Sequence, residues 1–144
     1  MTPPLHRLVI DASVLVKMFF KEEHSETSTH LIENASELLA PDFLWAEVVH
    51  VVWKRLRRRE IGAADATDLV NMMLRVPVTT CGCFELADAA FELATRTGCA
   101  VYDGLYVALA VRENIPLVTG DQRLANALAT DSHARHVRFV GALD

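Results

Sequence analysis

The sequence predicts an α/β domain in which helices cover both faces of a parallel sheet, and three observations carry that prediction. Short apolar, β-branched runs alternate with helical segments along the chain. The clearest of them, Leu8-Val9-Ile10, is apolar at every position rather than at alternate ones, as a strand buried on both faces requires. No repeat, low-complexity stretch or Ser/Gly-rich linker interrupts the 144 residues, so a single domain, 1–144, is expected.

The elements follow in order. Leu8–Ile10 is the first strand, ended abruptly by Asp11. Ser13–Phe20 and Glu26–Asn34 read as helices, with a break around Lys21–His24. Leu38–Ala40 is a second strand. Pro41 and Asp42 then open a long helix, Phe43–Arg59, with Asp42 as its expected N-cap and Gly62 as its C-terminal glycine. A helix Ala63–Leu74, a strand Val76–Thr80 and a helix Phe84–Thr97 stopped by Gly98 come next. Asp103–Glu113 is helical, Pro116–Thr119 a fourth strand, Asp121–Ala129 a helix and Val137–Val140 a fifth strand.

Composition narrows the function. Fourteen Lys and Arg against nineteen Asp and Glu give a net charge of −5, which argues against a module that coats nucleic acid by charge alone. It leaves room for an enzyme that meets phosphates through bound metal ions. No apolar run approaches the ~20 residues of a membrane span, and Met1–Arg7 lacks the pattern of a signal peptide, so a cytoplasmic location without membrane attachment is expected. Cys81, Cys83 and Cys99 are read as reduced, mostly buried thiols, and His133 and His136 as solvated residues of a polar tail. The apolar content of 51%, with a mean hydropathy of +0.20, points to an interface and hence to a dimer.

Ligands of open parallel sheets bind outside the carboxyl ends of the strands, and acids gather there. Asp11 follows the first strand, Asp121 follows the fourth after Thr119-Gly120, and Asp103 opens a helix. Any one of them is as readily a helix cap as a functional group. Glu47 is harder to read as structural, because it sits on an apolar helical stretch with no Lys or Arg three or four residues away. A metal resolves the charge of such a cluster, and carboxylate-only ligation suits Mg²⁺ or Mn²⁺. Hard ions on an acid cluster point to phosphate chemistry, with Ser13 as a first-turn hydroxyl near the metal. No glycine-rich phosphate loop occurs, which argues against an NTPase or dinucleotide enzyme, and no Ser or Cys sits in a nucleophile elbow.

Four segments together resemble a PIN domain, and more narrowly a VapC-type toxin ribonuclease. Val9-Ile10-Asp11-Ala12-Ser13-Val14 resembles that family's opening strand with its first acid. Pro41 followed by Trp45-Ala46-Glu47-Val48 resembles the segment with its glutamate, and Tyr102-Asp103-Gly104-Leu105-Tyr106 its Tyr-Asp-Ala-x-Tyr helix start. Leu117-Val118-Thr119-Gly120-Asp121 resembles its final Thr-x-Asp motif. Gly104 departs from the commoner Ala. The resemblance implies a five-stranded parallel sheet ordered 3-2-1-4-5 and metal-dependent endonucleolytic cleavage of RNA. It implies Asp11, Glu47, Asp103 and Asp121 as the acidic metal site, with Asp11 and Asp103 as direct ligands and Ser13 and Thr119 in support. In-line attack of metal-activated water, leaving a 5′-phosphate and a 3′-hydroxyl, is the reaction it implies. A homodimer and a VapB-like antitoxin covering the site are the implied partners.

Two rivals were weighed. A phosphatase of the haloacid-dehalogenase type wants a second Asp two residues after the first, where this chain has Ser13. A binding-only domain does not need all four acids. The basic run Lys54–Arg59 reads as the solvated C-terminal end of a helix in preference to an RNA contact, since it lies two to three turns beyond Glu47.

Overall fold

The computed structural model describes residues 6–144. Met1–Leu5, most of the segment considered for a leader, lie outside the described residues. Five strands, β1 (Arg7–Ile10), β2 (Glu37–Pro41), β3 (Thr79–Cys81), β4 (Leu117–Thr119) and β5 (Val137–Phe139), form one parallel sheet in the order β3-β2-β1-β4-β5. Val9 is the hinge of that register, pairing with Leu39 on one side and Leu117 on the other. Leu8, Val9 and Ile10 are fully buried, as their unbroken apolar run requires.

Seven α-helices connect the strands: α1 (Ala12–Val16), α2 (Ser25–Asn34), α3 (Phe43–Arg57), α4 (Ala63–Met73), α5 (Cys83–Thr97), α6 (Val101–Glu113) and α7 (Gln122–Ala127). The chain builds outward from β1 to β3, then returns to the other side of β1 for β4 and β5. Because parallel crossovers are right-handed, that reversal puts α1–α4 and α5–α7 on opposite faces. It also makes the carboxyl ends of β1 and β4 the switch point, where a crevice opens.

The helices show why each forms. On α3 the buried residues Leu44, Val48 and Val52 recur every four positions and face the core. On α6 apolar residues surround the axis, because the helix packs against the sheet and is covered by α5. Gly104 is buried at the α5–α6 contact, where an added Cβ would stand 2.9 Å from the Ala90 carbonyl oxygen.

Several expected boundaries are corrected. Asp42 stands at the expected N-cap position of α3 but with helical dihedrals and no side-chain cap bond there; its Oδ1 accepts from the Cys83 N–H at 3.1 Å and so caps α5 instead. Gly62 is not the C-terminal glycine of α3: the left-handed residue is Arg59 (φ 59°), and Gly62 precedes α4. Helix α1 tightens after Val16 into turns through Phe20. The third strand is Thr79–Cys81 rather than Val76–Thr80, because Leu39 of β2 finds its partner at Thr79.

Candidate active site

Three of the four acids stand at the switch point by virtue of strand ends and helix starts. Asp11 ends β1, caps α1 by accepting from the Val14 N–H at 3.3 Å, and is only 7% exposed. Asp121 follows β4 and caps α7 through the Arg123 N–H at 2.9 Å. Asp103 is the third residue of α6, in its first turn, and the N-cap is Ala100, so Asp103 does not open the helix as the sequence suggested. It forms no cap, and the helix N-terminus favours its negative charge. Glu47 reaches in from α3, and its Oε1 accepts from the Tyr106 hydroxyl at 2.5 Å.

The supporting hydroxyls join these acids. Thr119, fully buried at the end of β4, donates to Asp11 Oδ2 at 2.5 Å and accepts from the Asp121 N–H at 3.0 Å. One hydroxyl thus ties the first and last acidic motifs, 108 residues apart. Ser13 Oγ donates to Asp11 Oδ1 and accepts from the Gly120 N–H at 2.7 Å. Gly120 has no room for a side chain, since a Cβ there would meet Lys17 Cε at 2.9 Å and Ser13 Oγ at 3.0 Å.

The electrostatics record crowding with little compensation. Burial raises the Asp11 carboxyl to about 6, against the pull of its hydroxyl and backbone donors and with repulsion from Asp103 added. Burial also raises Glu47, opposed by the Tyr106 hydrogen bond and reinforced by the charges of Asp11 and Asp103. Asp103 is raised by burial and by the charge of Asp121, opposed by the charge of Arg123. Among the described residues no Lys or Arg comes within 4 Å of Asp11, Glu47 or Asp103, whereas Asp121 has Arg123 at 3.7 Å. Asp11, Glu47 and Asp103 therefore lie within electrostatic range of one another, and Asp121 within range of Asp103.

This donor set fits a hard divalent cation. Its donors are oxygens, three of its four acids have no Lys or Arg within 4 Å among the described residues, and burial penalises ionisation of Asp11, Glu47 and Asp103 until a cation arrives. Among the described residues no three such side chains surround a common ion position. That is compatible with Mg²⁺, which keeps several waters and takes one or two carboxylates.

Sequence reasoning missed Tyr106 as the partner of Glu47. The signal was present: Tyr106 stands three residues after Asp103, which puts both on one face of α6. The cysteines and histidines need correction. Cys81, Cys83 and Cys99 are free but only half-buried: Cys81 ends the edge strand β3, Cys83 opens α5 just after it, and Cys99 lies in the loop between α5 and α6. His136 is not solvated; it is 7% exposed, with Nε2 at 3.2 Å from Asn114 Oδ1.

Comparisons with known proteins agree with this architecture. The model of the PIN domain matches residues 8–128. Ribonuclease VapC3 of Pyrobaculum aerophilum is 32% identical over 83% of this chain and 92% of its own length. Ribonuclease VapC1 of Mycobacterium tuberculosis is 31% identical over 90% of this chain and 97% of its own. Among solved structures, PAE2754 from Pyrobaculum aerophilum superposes with a TM-score of 0.72 at 21% identity, covering 96% of this chain and 93% of its own. A toxin–antitoxin complex from Klebsiella pneumoniae gives 0.62 at 13% identity, covering 92% of this chain and 97% of that one. The chain belongs to the PIN domain family, among its VapC ribonucleases.

Proposed function

We propose that this chain, folded as one domain, is a metal-dependent endoribonuclease and the toxin of a toxin–antitoxin pair. The observation that carries the reading is the joining of Asp11, Thr119 and Asp121 by one buried hydroxyl, with Glu47 and Asp103 in electrostatic range. The names of its VapC relatives supply the ribonuclease activity, and the toxin–antitoxin neighbours the antitoxin partner.

Asp11 and Asp103 are the proposed direct ligands of Mg²⁺ or Mn²⁺, with Glu47 and Asp121 completing the acidic site. A bound ion supplies activation of water and neutralisation of charge on the phosphodiester oxygens. The chain does the positioning. Thr119 and Ser13 hold the two oxygens of Asp11, leaving their remaining lone pairs for a ligand. The Tyr106 hydroxyl holds Glu47 against α6. Phe84 and Phe91, 96% and 63% exposed and two turns apart on α5, offer an apolar stripe for the proposed homodimer.

End-labelled RNA tests the reading. Fragments released with Mg²⁺ or Mn²⁺, abolished by EDTA and by Asp11→Asn, are expected. Full cleavage by a rigorously metal-free preparation contradicts the mechanism, and no cleavage of any RNA contradicts the function.

A further inference from the structure

The long helix α3 carries more than its glutamate. Phe43, Glu47, His50, Lys54 and Arg57 recur at alternating steps of four and three residues, which places them in one stripe along the helix. A groove of about 380 Å³ runs beside that stripe, from Ala12 and Glu47 at the acidic site to His50 and Lys54. Glu47 and Lys54 therefore line one continuous surface. Their separation of about 10 Å along the axis is a span within the groove, not a reason to treat the cation as unrelated.

The basic run divides by face. Arg55 is committed to structure: its guanidinium lies 4.0 Å over the Phe20 ring and pairs with Glu22 at 3.0 Å. Lys54 and Arg57 have no carboxylate within 4 Å among the described residues, although the chain as a whole is acidic. Arg57 instead lies over the ring of Trp53, which is 49% exposed and stacks on His50 with centroids 5.4 Å apart.

At the acidic end a second aromatic pair bridges the two acid-bearing helices. Phe43, one turn before Glu47, stacks on Tyr102, the residue before Asp103, with centroids 4.9 Å apart and planes 15° from parallel. Tyr102 is 61% exposed, so Phe43 fixes the plane of a ring that still offers a surface to solvent. Flat rings followed by cations without carboxylate partners, along and beside one helix face, are what single-stranded nucleic acid recognises, bases on the rings and phosphates on the cations. An acidic or purely apolar occupant would use only half of these features.

We propose that this stripe is the track for the single-stranded RNA segment flanking the cleaved bond, with Tyr102 stacking a base beside the acidic site and Lys54 neutralising a phosphate farther along α3. The proposal rests on the ribonuclease reading above and assigns residues that set how RNA lies in the site.

The test measures binding of a fluorescein-labelled, randomised 12-nucleotide RNA by anisotropy in EDTA, which withholds the metal and keeps the probe intact. Lys54→Gln is expected to weaken binding several-fold and to flatten the slope of log K against log salt by about 0.7, one phosphate's worth. Tyr102→Leu is expected to weaken binding about tenfold with the slope unchanged, and Tyr102→Phe, which keeps the ring, to bind as wild type does. Both side chains are exposed, so melting temperatures should stay within a few degrees of wild type. Unchanged affinity and slope in Lys54→Gln and Tyr102→Leu, with wild type still cleaving RNA, overturns the track alone. So does unchanged RNA affinity together with loss of a dimer in light scattering, which assigns the stripe to a second copy. A wild-type protein that cleaves no RNA with Mg²⁺ or Mn²⁺ overturns the ribonuclease reading and this proposal with it.

Discussion

Thr119 is the residue on which the acidic motifs are hung, and Thr119→Val keeps its shape while deleting its hydroxyl. Asp11 Oδ2 then loses a donor and the Asp121 N–H an acceptor, each in a buried setting. A loss of roughly 1–3 kcal/mol in stability is expected in urea unfolding. Cleavage should fall by ~10–100-fold, as when a metal ligand loses its supporting hydrogen bond. Asp11 gives a pH prediction whose sign follows from its raised pKa. Between the ordinary value of 3.8 and about 6, the native state holds a proton that the unfolded chain has released. Metal-free protein therefore loses stability as pH rises through that window, by up to about 3 kcal/mol from this group. His136 acts in the opposite sense: burial lowers its pKa below 6.5, so stability is lost as pH falls beneath the unfolded value. Asp11→Asn separates the two. The variant should be more stable than wild type at pH 7 in EDTA, and should lose stability between pH 7 and 5 more steeply than wild type does. Melting curves at the two pH values check both statements, and a variant no more stable at pH 7 refutes the first.

Helices α5 and α6 meet where Gly104 faces Ala90, and the family pattern's alanine at that position meets an obstacle here. A Cβ on residue 104 has the Ala90 carbonyl oxygen at 2.9 Å, and backbone does not rotate away as a flexible side chain does. Gly104→Ala should cost roughly 1–3 kcal/mol despite the better helix propensity of alanine, measured as a lower urea midpoint at unchanged slope. A neutral or stabilising effect contradicts the close contact. The same pair shows what the sequence conveys and what it withholds. Strand β1 was legible because three successive apolar residues before an acid have few other uses, and α3 because its apolar residues keep a four-residue spacing. The four acids were candidates because Asp11 and Asp121 follow strands, Asp103 stands near a helix start and Glu47 interrupts an apolar helical stretch. The capping of α5 by Asp42 was not, since β2 and β3 must pair before Asp42 meets Cys83, 41 positions later. The Glu47–Tyr106 bond was hidden in the same way, being a contact between two helices. His136 misled because polar neighbours in sequence say nothing of the cavity that Asn114 and β5 close around it.

Across the whole molecule the fold gathers negative charge at one end of its sheet, with Arg123 the one cation within 4 Å of the four acids among the described residues. The described helices include none long and apolar enough to cross a membrane. The parallel order β3-β2-β1-β4-β5 puts the reversal of chain direction beside β1, so Asp11 and Asp121 arrive as neighbours from opposite ends of the sequence. Helices α3 and α6 add Glu47 and Asp103 from opposite faces. Burial, with repulsion among the acids added, raises the pKa of three of them and makes the cation-free site costly to ionise. Asp103→Asn should accordingly abolish RNA cleavage and yet raise the melting temperature in EDTA, while gaining less from added Mg²⁺ than wild type does. A residue that merely capped a helix would leave both properties nearly unchanged on substitution by Asn. The most direct measurement is a calorimetric titration of the metal-free protein with Mn²⁺ at pH 5.5 and at pH 7.5. Because Asp11 must give up its proton to a cation, binding should be saturable, tighter at pH 7.5, accompanied by proton release at pH 5.5, and lost in Asp11→Asn. Absence of saturable binding up to millimolar Mn²⁺, or an affinity indifferent to both pH and Asp11→Asn, would contradict the assignment of these acids as a metal centre.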